Sequence, residues 1–319
     1  MPEILQPSRN NIEKSARALK DGALIGLPTE TVYGLAADAE NEDAIKRIYK
    51  VKGRPANHPV IVHVGSIQYL EIWAREIPDY SMKLAHVIWP GPMTLILKKS
   101  NLAQDFITGG QDSIGLRIPN HAIALSLMEE FHYLGGKGIA APSANKYEAV
   151  SPTDAESVLD ELGMSLESGR DFVIDGGVSE IGLESTIINC LNKKPLILRQ
   201  GAITKAKIES CLQVEVETNT SETDIQFSGN SSRHYAPKTK IVLDEFPHVG
   251  DGYLALSTIN TPKGCIRLAS PNTSVEFAKV LYSTFRKADQ LGLKRLNVIP
   301  PRGDGIEMAI LERLEKASR

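Results

Sequence analysis

Cysteine is scarce: Cys190, Cys211 and Cys265 stand far apart in 319 residues and form no CxxC pair. That argues against a disulfide framework and against a zinc site, and it fits a reducing, cytoplasmic setting. Aromatic residues make up only 6% of the chain, and the formal net charge is −3. Neither the stacking platform nor the basic field of an extended nucleic-acid surface is therefore present, and any phosphate recognition must come from a local cluster. No apolar run approaches the roughly 18 residues of a membrane span. The opening stretch MPEILQPSRNNIEKSARALKDG has no continuous apolar segment, so no signal peptide is expected. Common catalytic signatures are missing as well: there is no GxxxxGK[ST], no GxSxG and no HExxH. GDGYLA at 250–255 matches GxGxx[GA] by letter but precedes a strand pattern, and it reads as a turn.

What remains is an ordinary globular composition, 42% hydrophobic and 24% charged, on a chain long enough for two domains. Ile12, Ala16 and Leu19 recur at helical spacing behind a cap at Ser8 or Asn10. ALIGLPT reads as a strand stopped by Pro28, NEDAIKRIYKVK as a helix and PVIVHV as a strand. MTLILKK, SIGLRIP, GIAAPS, DFVIDGG, STIINC and LILRQG read as further strands. HAIALSLMEEF and TDAESVLDEL read as helices, the latter with a capping-box pattern at Thr153 and Glu156. Strands and helices do not alternate regularly, which argues against a doubly wound parallel sheet. EVETNTSETD at 215–224 carries four acids and no base, the clearest linker signal. A second α/β pattern follows, with a helix over 274–291 and another over 305–317. The expected organisation is a domain over 1–214, a linker over 215–237 and a small domain over 238–319.

The densest chemistry lies in KGRPANHPVIVHV at 52–64. Pro55 and Pro59 stiffen the loop, so Lys52, Arg54 and His58 lose little freedom on binding an anion. Arginine can grip phosphate with two donors, and lysine offers a point charge. Solvated surface charge is the plainer alternative. Other strand ends carry similar groups: PTETVYG (28–34), APSAN (141–145), LEST (183–186), Arg199 in ILRQG and Arg117 in GLRIP. For PTETVYG the plainer reading is a strand-to-helix connection with threonine capping. An arginine inside an apolar strand needs a partner, either a ligand or an internal acid.

Taken in order, LPTETVYGLAADA, KGRPANHPVIVHV, WPGPMTLIL, GLRIPNH, GIAAPSANKYEAVSPT, GLESTIIN and LILRQGAI resemble the threonylcarbamoyl-AMP synthase family. RHYAP and the additional domain resemble its long, two-domain form. The resemblance implies a twisted mixed sheet with a concave positive cavity, then a linker and a smaller Rossmann-like domain. It implies conversion of L-threonine, bicarbonate or CO2, and ATP to threonylcarbamoyl-adenylate and pyrophosphate, with Mg2+ carried on the ATP phosphates and no protein metal site. Partner transferase proteins would then use the product on tRNA, next to the anticodon. Direct tRNA contact by this chain has little support.

The same resemblance distributes the residues. Lys52 and Arg54 would clamp the triphosphate with His58 beside them. Ser143, Asn145 and Ser151 would lie near the phosphates, and Ser113 and Arg199 would touch the nucleotide. Lys52, Arg54, Ser143 and Asn145 form the catalytic group. Thr31, His63, Arg117, the Ala141 backbone and Ser185 would hold threonine, with Arg117 on its carboxylate in place of an internal acid. The linker would add His234 and Tyr235 to the ATP side, folding over the cavity as a lid. Relatives resemble Pro-Gly-Met-Lys-Tyr-Arg-His-Tyr there, whereas this chain has Ser228-Gly229-Asn230-Ser231-Ser232-Arg233-His234-Tyr235, without the lysine and the first tyrosine. No residue stands out as an obligatory general base; His63 is a candidate, beside a purely binding role. Two other readings share these features: an RNA-binding module, and a carbamoyl-adenylate enzyme acting on another amine. The latter resembles the hydrogenase-maturation carbamoyltransferases, whose zinc-finger segments three cysteines could not supply.

Overall fold

The computed structural model describes residues 1–218, 225–231 and 234–319. Its strands are β1 Glu3–Leu5, β2 Ile25–Leu27, β3 Gly34–Asp38, β4 Ile61–His63, β5 Met93–Lys98, β6 Ser113–Arg117, β7 Ile139–Ala140 and β8 Phe172–Ile174. They continue with β9 Thr186–Asn189, β10 Leu196–Arg199, β11 Glu217–Thr218, β12 Lys240–Leu243, β13 Gly252–Leu254, β14 Ile266–Ala269 and β15 Arg295–Val298. Among the described residues these make two sheets, an 11-stranded one in the order β1-β8-β2-β3-β7-β4-β6-β5-β9-β10-β11 and a 4-stranded one in the order β12-β15-β13-β14. The large sheet mixes parallel and antiparallel pairs, whereas every pair of the small sheet is parallel. The inner strands β2, β3, β6 and β9 of the large sheet are buried along their whole length, polar Asp38, Ser113, Arg117 and Asn189 included.

Local signals explain how the site-bearing elements start and stop. Ser8 accepts from the Asn11 N–H and opens helix Arg9–Lys20, whose Ile12, Ala16 and Leu19 pack with Leu127, Met128 and Phe131 of helix Ala122–Tyr133. Asn41 caps helix Glu42–Lys52, which ends where Gly53 takes φ +64°. That left-handed turn releases the chain into the stiff Arg54–Pro59 loop directly before β4. The predicted capping box is not formed: Asp154 caps helix Ala155–Leu162 by accepting from the Ser157 N–H, and Thr153 lies one residue too early. PTETVYG is also not a strand-to-helix connection. It is the turn of a β2–β3 hairpin, with Leu27 opposite Gly34. The hydroxyl of Thr29 closes that turn by donating to the Val32 carbonyl at 2.6 Å.

The segment read as a linker is only partly one. Glu217 and Thr218 form β11 and pair with β10, so the large sheet runs past residue 214. Residues 219–224 of the acidic run, and Ser232 and Arg233 of the SSRHY stretch, lie outside the described residues. Phe227 and Tyr235 are buried. The predicted helices at 274–291 and 305–317 are present as Ser274–Gln290 and Ile306–Ser318. Their core, built on Phe277, Leu281, Tyr282, Phe285 and Leu314, is continuous with Val32, Val150 and Leu183 of the first domain. The small domain therefore packs against Val32 of the β2–β3 hairpin and the loops that carry Val150 and Leu183. Among the described residues no helix is long and apolar enough to cross a membrane.

Candidate active site

Strand pairing brings the chemistry together. β4 and β6 run parallel in a register that sets His63 beside Arg117, and Gly34 bridges to Ser143 across the end of the β2–β3 hairpin. The cavity so formed holds ≈ 550 Å³ of empty space, part of it open to solvent. Three arginines, Arg54, Arg117 and Arg199, face it, and Glu184 is the acid in its lining. Thr31, His63, Ala141, Ser143 and Ser185 line the same space, and His234 and Tyr235 close it from the linker. Ten of the fifteen residues proposed from the sequence thus meet in one place.

The other five lie outside this lining. Lys52 is buried behind the wall, where its ammonium donates to the carbonyls of Ser143 at 2.7 Å and Asn145 at 2.6 Å. It braces the APSAN loop. Burial, reinforced by Arg54, drives its pKa well below the ordinary lysine value. Asn145 spends its amide on the carbonyls of Lys146 and Ala149. Ser151 donates to Glu184 Oε1 at 2.7 Å. His58 packs edge-on against Tyr147 with ring centres 5.6 Å apart. Ser113 lines an adjoining apolar recess with Ile96, Ile187 and Phe227, and this recess shares Ile61 and Ser228 with the main cavity.

The hydrogen-bond inventory separates spent donors from free ones. Arg199 donates twice to the Ser185 carbonyl, at 3.0 and 2.8 Å, and once to the Ser228 carbonyl at 2.8 Å. Arg54 donates to the Pro59 carbonyl at 2.9 Å and reaches the Ser228 hydroxyl at 3.5 Å, leaving its Nε without a partner. Arg117 donates to the Thr31 hydroxyl at 2.9 Å.

The expectation that Arg117 has no internal acid is wrong. Its Nη2 lies 2.6 Å from Glu30 Oε2. Nothing in the sequence alone assigns Glu30 a partner, although PTETV displays it between the two threonines. The pair is close but not aligned as a hydrogen bond, so Arg117 Nε and Nη2 and both Glu30 oxygens keep unused capacity. Among the described residues that line the cavity, Nδ1 of His63, Nδ1 of His234 and the Tyr235 hydroxyl are likewise without a partner. Unfilled polar groups this deeply buried are costly unless a ligand or water satisfies them.

Electrostatics fix the protonation states. Burial, with Arg117 adjacent, lowers the His63 pKa to about 3, and burial likewise lowers His234 to about 3. Both imidazoles are neutral at physiological pH. Burial raises the Tyr235 pKa to about 12, with Glu184 adding to it. Burial alone would raise Glu184, but Arg313 and Arg199 outweigh it and hold the carboxyl below its ordinary value. The resulting cavity presents fixed cations, neutral donors and one held carboxylate. That array suits a polyanion together with a smaller carboxylate. Among the described residues no three His, Cys, Asp or Glu side chains gather as a metal cage. The donor set of guanidinium, hydroxyl and imidazole groups suits phosphate oxygens better than a bare cation.

Comparison with known proteins agrees with this geometry. Residues 17–201 match the family model described as telomere recombination, and residues 203–319 match the threonylcarbamoyl-AMP synthase C-terminal domain. The threonylcarbamoyl-AMP synthase of Pyrococcus abyssi is 35% identical over 96% of this chain and 94% of its own length. That of Bacillus subtilis is 33% identical over 96% and 92%. The crystal structure of Pyrococcus abyssi Sua5 complexed with L-threonine superposes with a TM-score of 0.88 at 33% identity, covering 100% of this chain and 97% of that one.

Proposed function

This chain belongs to the threonylcarbamoyl-AMP synthase family, an AMP-transferring enzyme class, and from that premise we propose that its cavity joins L-threonine, bicarbonate or CO2, and ATP into L-threonylcarbamoyl-adenylate with release of pyrophosphate. The observation that carries the reading is the unpartnered Nε of Arg117, whose Nη2 has Glu30 alone beside it, next to a neutral His63 and the arginine pair Arg54 and Arg199. One end of the cavity fits a single carboxylate and the other a phosphate chain.

Threonine takes the Arg117 end. Its carboxylate accepts from Arg117 Nε and Nη2, while Thr31, His63, the Ala141 backbone and Ser185 surround the rest. The amine must be neutral before its nitrogen attacks the one-carbon substrate, opening a C=O bond of CO2 or, from bicarbonate, releasing a water. A histidine whose pKa is about 3 is a weak proton acceptor at neutral pH. His63 therefore serves as a hydrogen-bonding partner for the amine or the new carbamate, and the proton leaves through solvent or a second substrate. The carbamate oxygen then attacks the α-phosphorus, and the bond to pyrophosphate breaks.

ATP takes the Arg54 and Arg199 end, with Ser143 and the rigid loop held by Lys52. In this closed form Ser228 occupies donors of both arginines. The nucleotide must move Ser228 on entry, which supports a lid role for the linker. Lys52, Asn145 and Ser151 act from behind the lining, by fixing the APSAN loop and Glu184. Adenine would use the recess of Ser113, in which Phe227 now lies. Mg2+ arrives on the ATP phosphates and neutralises their charge. The product then serves partner transferases that modify tRNA.

Pyrophosphate release from the full chain with MgATP tests the reading. Release is expected only when both threonine and bicarbonate are present, with serine a poor substitute. Release indifferent to threonine would indicate another amine, and RNA retention without any release would indicate the RNA-binding alternative.

A further inference from the structure

Arg313 belongs to the small domain, on helix Ile306–Ser318, yet it is completely buried against the first domain. Its Nε donates to Glu184 Oε2 at 3.1 Å, and its Nη1 donates to the Gln200 carbonyl at 2.7 Å. The guanidinium also lies 5.4 Å from the centre of the Tyr235 ring. Two of these partners, Glu184 and Tyr235, line the cavity, and the third, Gln200, adjoins its lining. Glu184 precedes Ser185, Gln200 follows Arg199 at the end of β10, and Tyr235 comes from the linker.

The neighbours of Arg313 extend the same connection. Glu312 accepts from the Gln200 N–H at 3.0 Å, and the Lys316 ammonium donates to the Gly229 carbonyl at 2.6 Å. Tyr282, on helix Ser274–Gln290, donates to Glu184 at 3.0 Å. Glu184 is thus filled by Ser151 from its own domain and by Tyr282 and Arg313 from the other.

A buried ion pair is poor evidence of stabilisation, because apolar residues of similar volume often do as well. What the guanidinium adds is geometry: one planar group with fixed donor directions reaches a carboxylate, a carbonyl and an aromatic face. We propose that Arg313 is a positioning residue of the synthase cavity, setting the Ser185 wall through Glu184 and Gln200 and the linker side through Tyr235. The small domain is then part of the active site's construction. This inference rests on the synthase reading for its kinetic consequences only.

The test uses the full chain with Arg313→Lys, Arg313→Gln, Glu184→Gln and the Arg313→Gln/Glu184→Gln double variant, each assayed well below its own Tm. Arg313→Lys keeps the charge and loses the fork, so it covers the case in which Arg313→Gln fails to fold. The expected result is at least a tenfold loss of kcat/KM for threonine in each single variant, with the double variant no worse than the weaker single, because both act through one contact. Trypsin digestion of the ligand-free protein gives a second readout that needs no catalysis: cutting after exposed Lys238 should accelerate several-fold in the Arg313 variants as Tyr235 loosens. A folded Arg313 variant with kcat/KM within twofold of the parent and unchanged cutting would overturn the proposal. If the parent protein shows no threonine-dependent turnover, the synthase reading fails, and the digestion still decides whether Arg313 holds the linker.

Discussion

Arg117 Nη2 and Glu30 Oε2 lie 2.6 Å apart, both side chains almost fully buried at the end of the β2–β3 hairpin and the edge of the cavity. The carboxylate compensates the arginine when no ligand is present, which lets a cation wait in an otherwise apolar strand. Replacing Glu30 by alanine leaves that charge uncompensated and should cost about 3–5 kcal/mol of stability. Glu30→Gln keeps one acceptor and should cost about 1–3 kcal/mol. Urea denaturation of the two variants measures both values, and equal losses would remove the charge-compensation argument.

Arg117→Lys tests the other side of the same pair. Lysine retains charge but not the planar double donor. The threonine KM should rise by at least tenfold while the ATP KM changes less than about threefold, because Arg54 and Arg199 are untouched. Steady-state kinetics with each substrate varied in turn checks this. A parallel rise in both constants would place Arg117 on the nucleotide.

Much of this site was legible in the chain, for a definite reason. Strand ends punctuated by Pro28, Pro59 and Pro119 can be read locally, and the side chains beside them, Thr31, His63 and Arg117, follow into the cavity. What escaped depends on long-range pairing. Glu30 acquires meaning only when β6 delivers Arg117, and Glu184 only when helix Ile306–Ser318 delivers Arg313. The basic, proline-rich setting of Lys52 points to the triphosphate, whereas the fold turns its ammonium away from the cavity toward two backbone carbonyls. β11 was missed because four acids in ten residues look like a tether, and a two-residue strand has no periodicity to detect. Likewise, Asp154 displaced Thr153 as the helix cap by a single residue, the usual scale of uncertainty at helix ends.

Phe227 forms one wall of the recess beside Ser113, and Gln226 is fastened to Gln111 by reciprocal hydrogen bonds of 2.8 and 3.1 Å. If adenine takes this recess as proposed, the linker in this position and the bound nucleotide compete for it. Phe227→Ala should tighten ATP binding several-fold, because less of the protein must be opened first. The same change should lower kcat if closure shields the intermediate from water. Titration calorimetry and turnover together check both signs, and weaker ATP binding would mean that Phe227 contacts the nucleotide.

The buried neutral histidines make the fold sensitive to acid. His234 has a folded pKa of about 3, well below the ordinary 6.5. Between these values the unfolded chain binds more protons, so stability is fully present above about pH 6.5 and falls as pH drops toward 3. One such group contributes a slope of up to about 1.4 kcal/mol per pH unit. In His234→Asn the curve of unfolding free energy against pH should flatten by about that amount across this window. Parallel curves for parent and variant would show that His234 is not buried neutral.

The most direct test of the central claim is to follow carbon. The full chain is incubated with MgATP, L-threonine and isotopically labelled bicarbonate, and the adenylate product is identified by mass spectrometry. The account predicts one labelled carbon joined to both threonine and AMP, absent when any one substrate is withheld. An unlabelled threonine adenylate, or AMP formed without incorporation of the label, would contradict it.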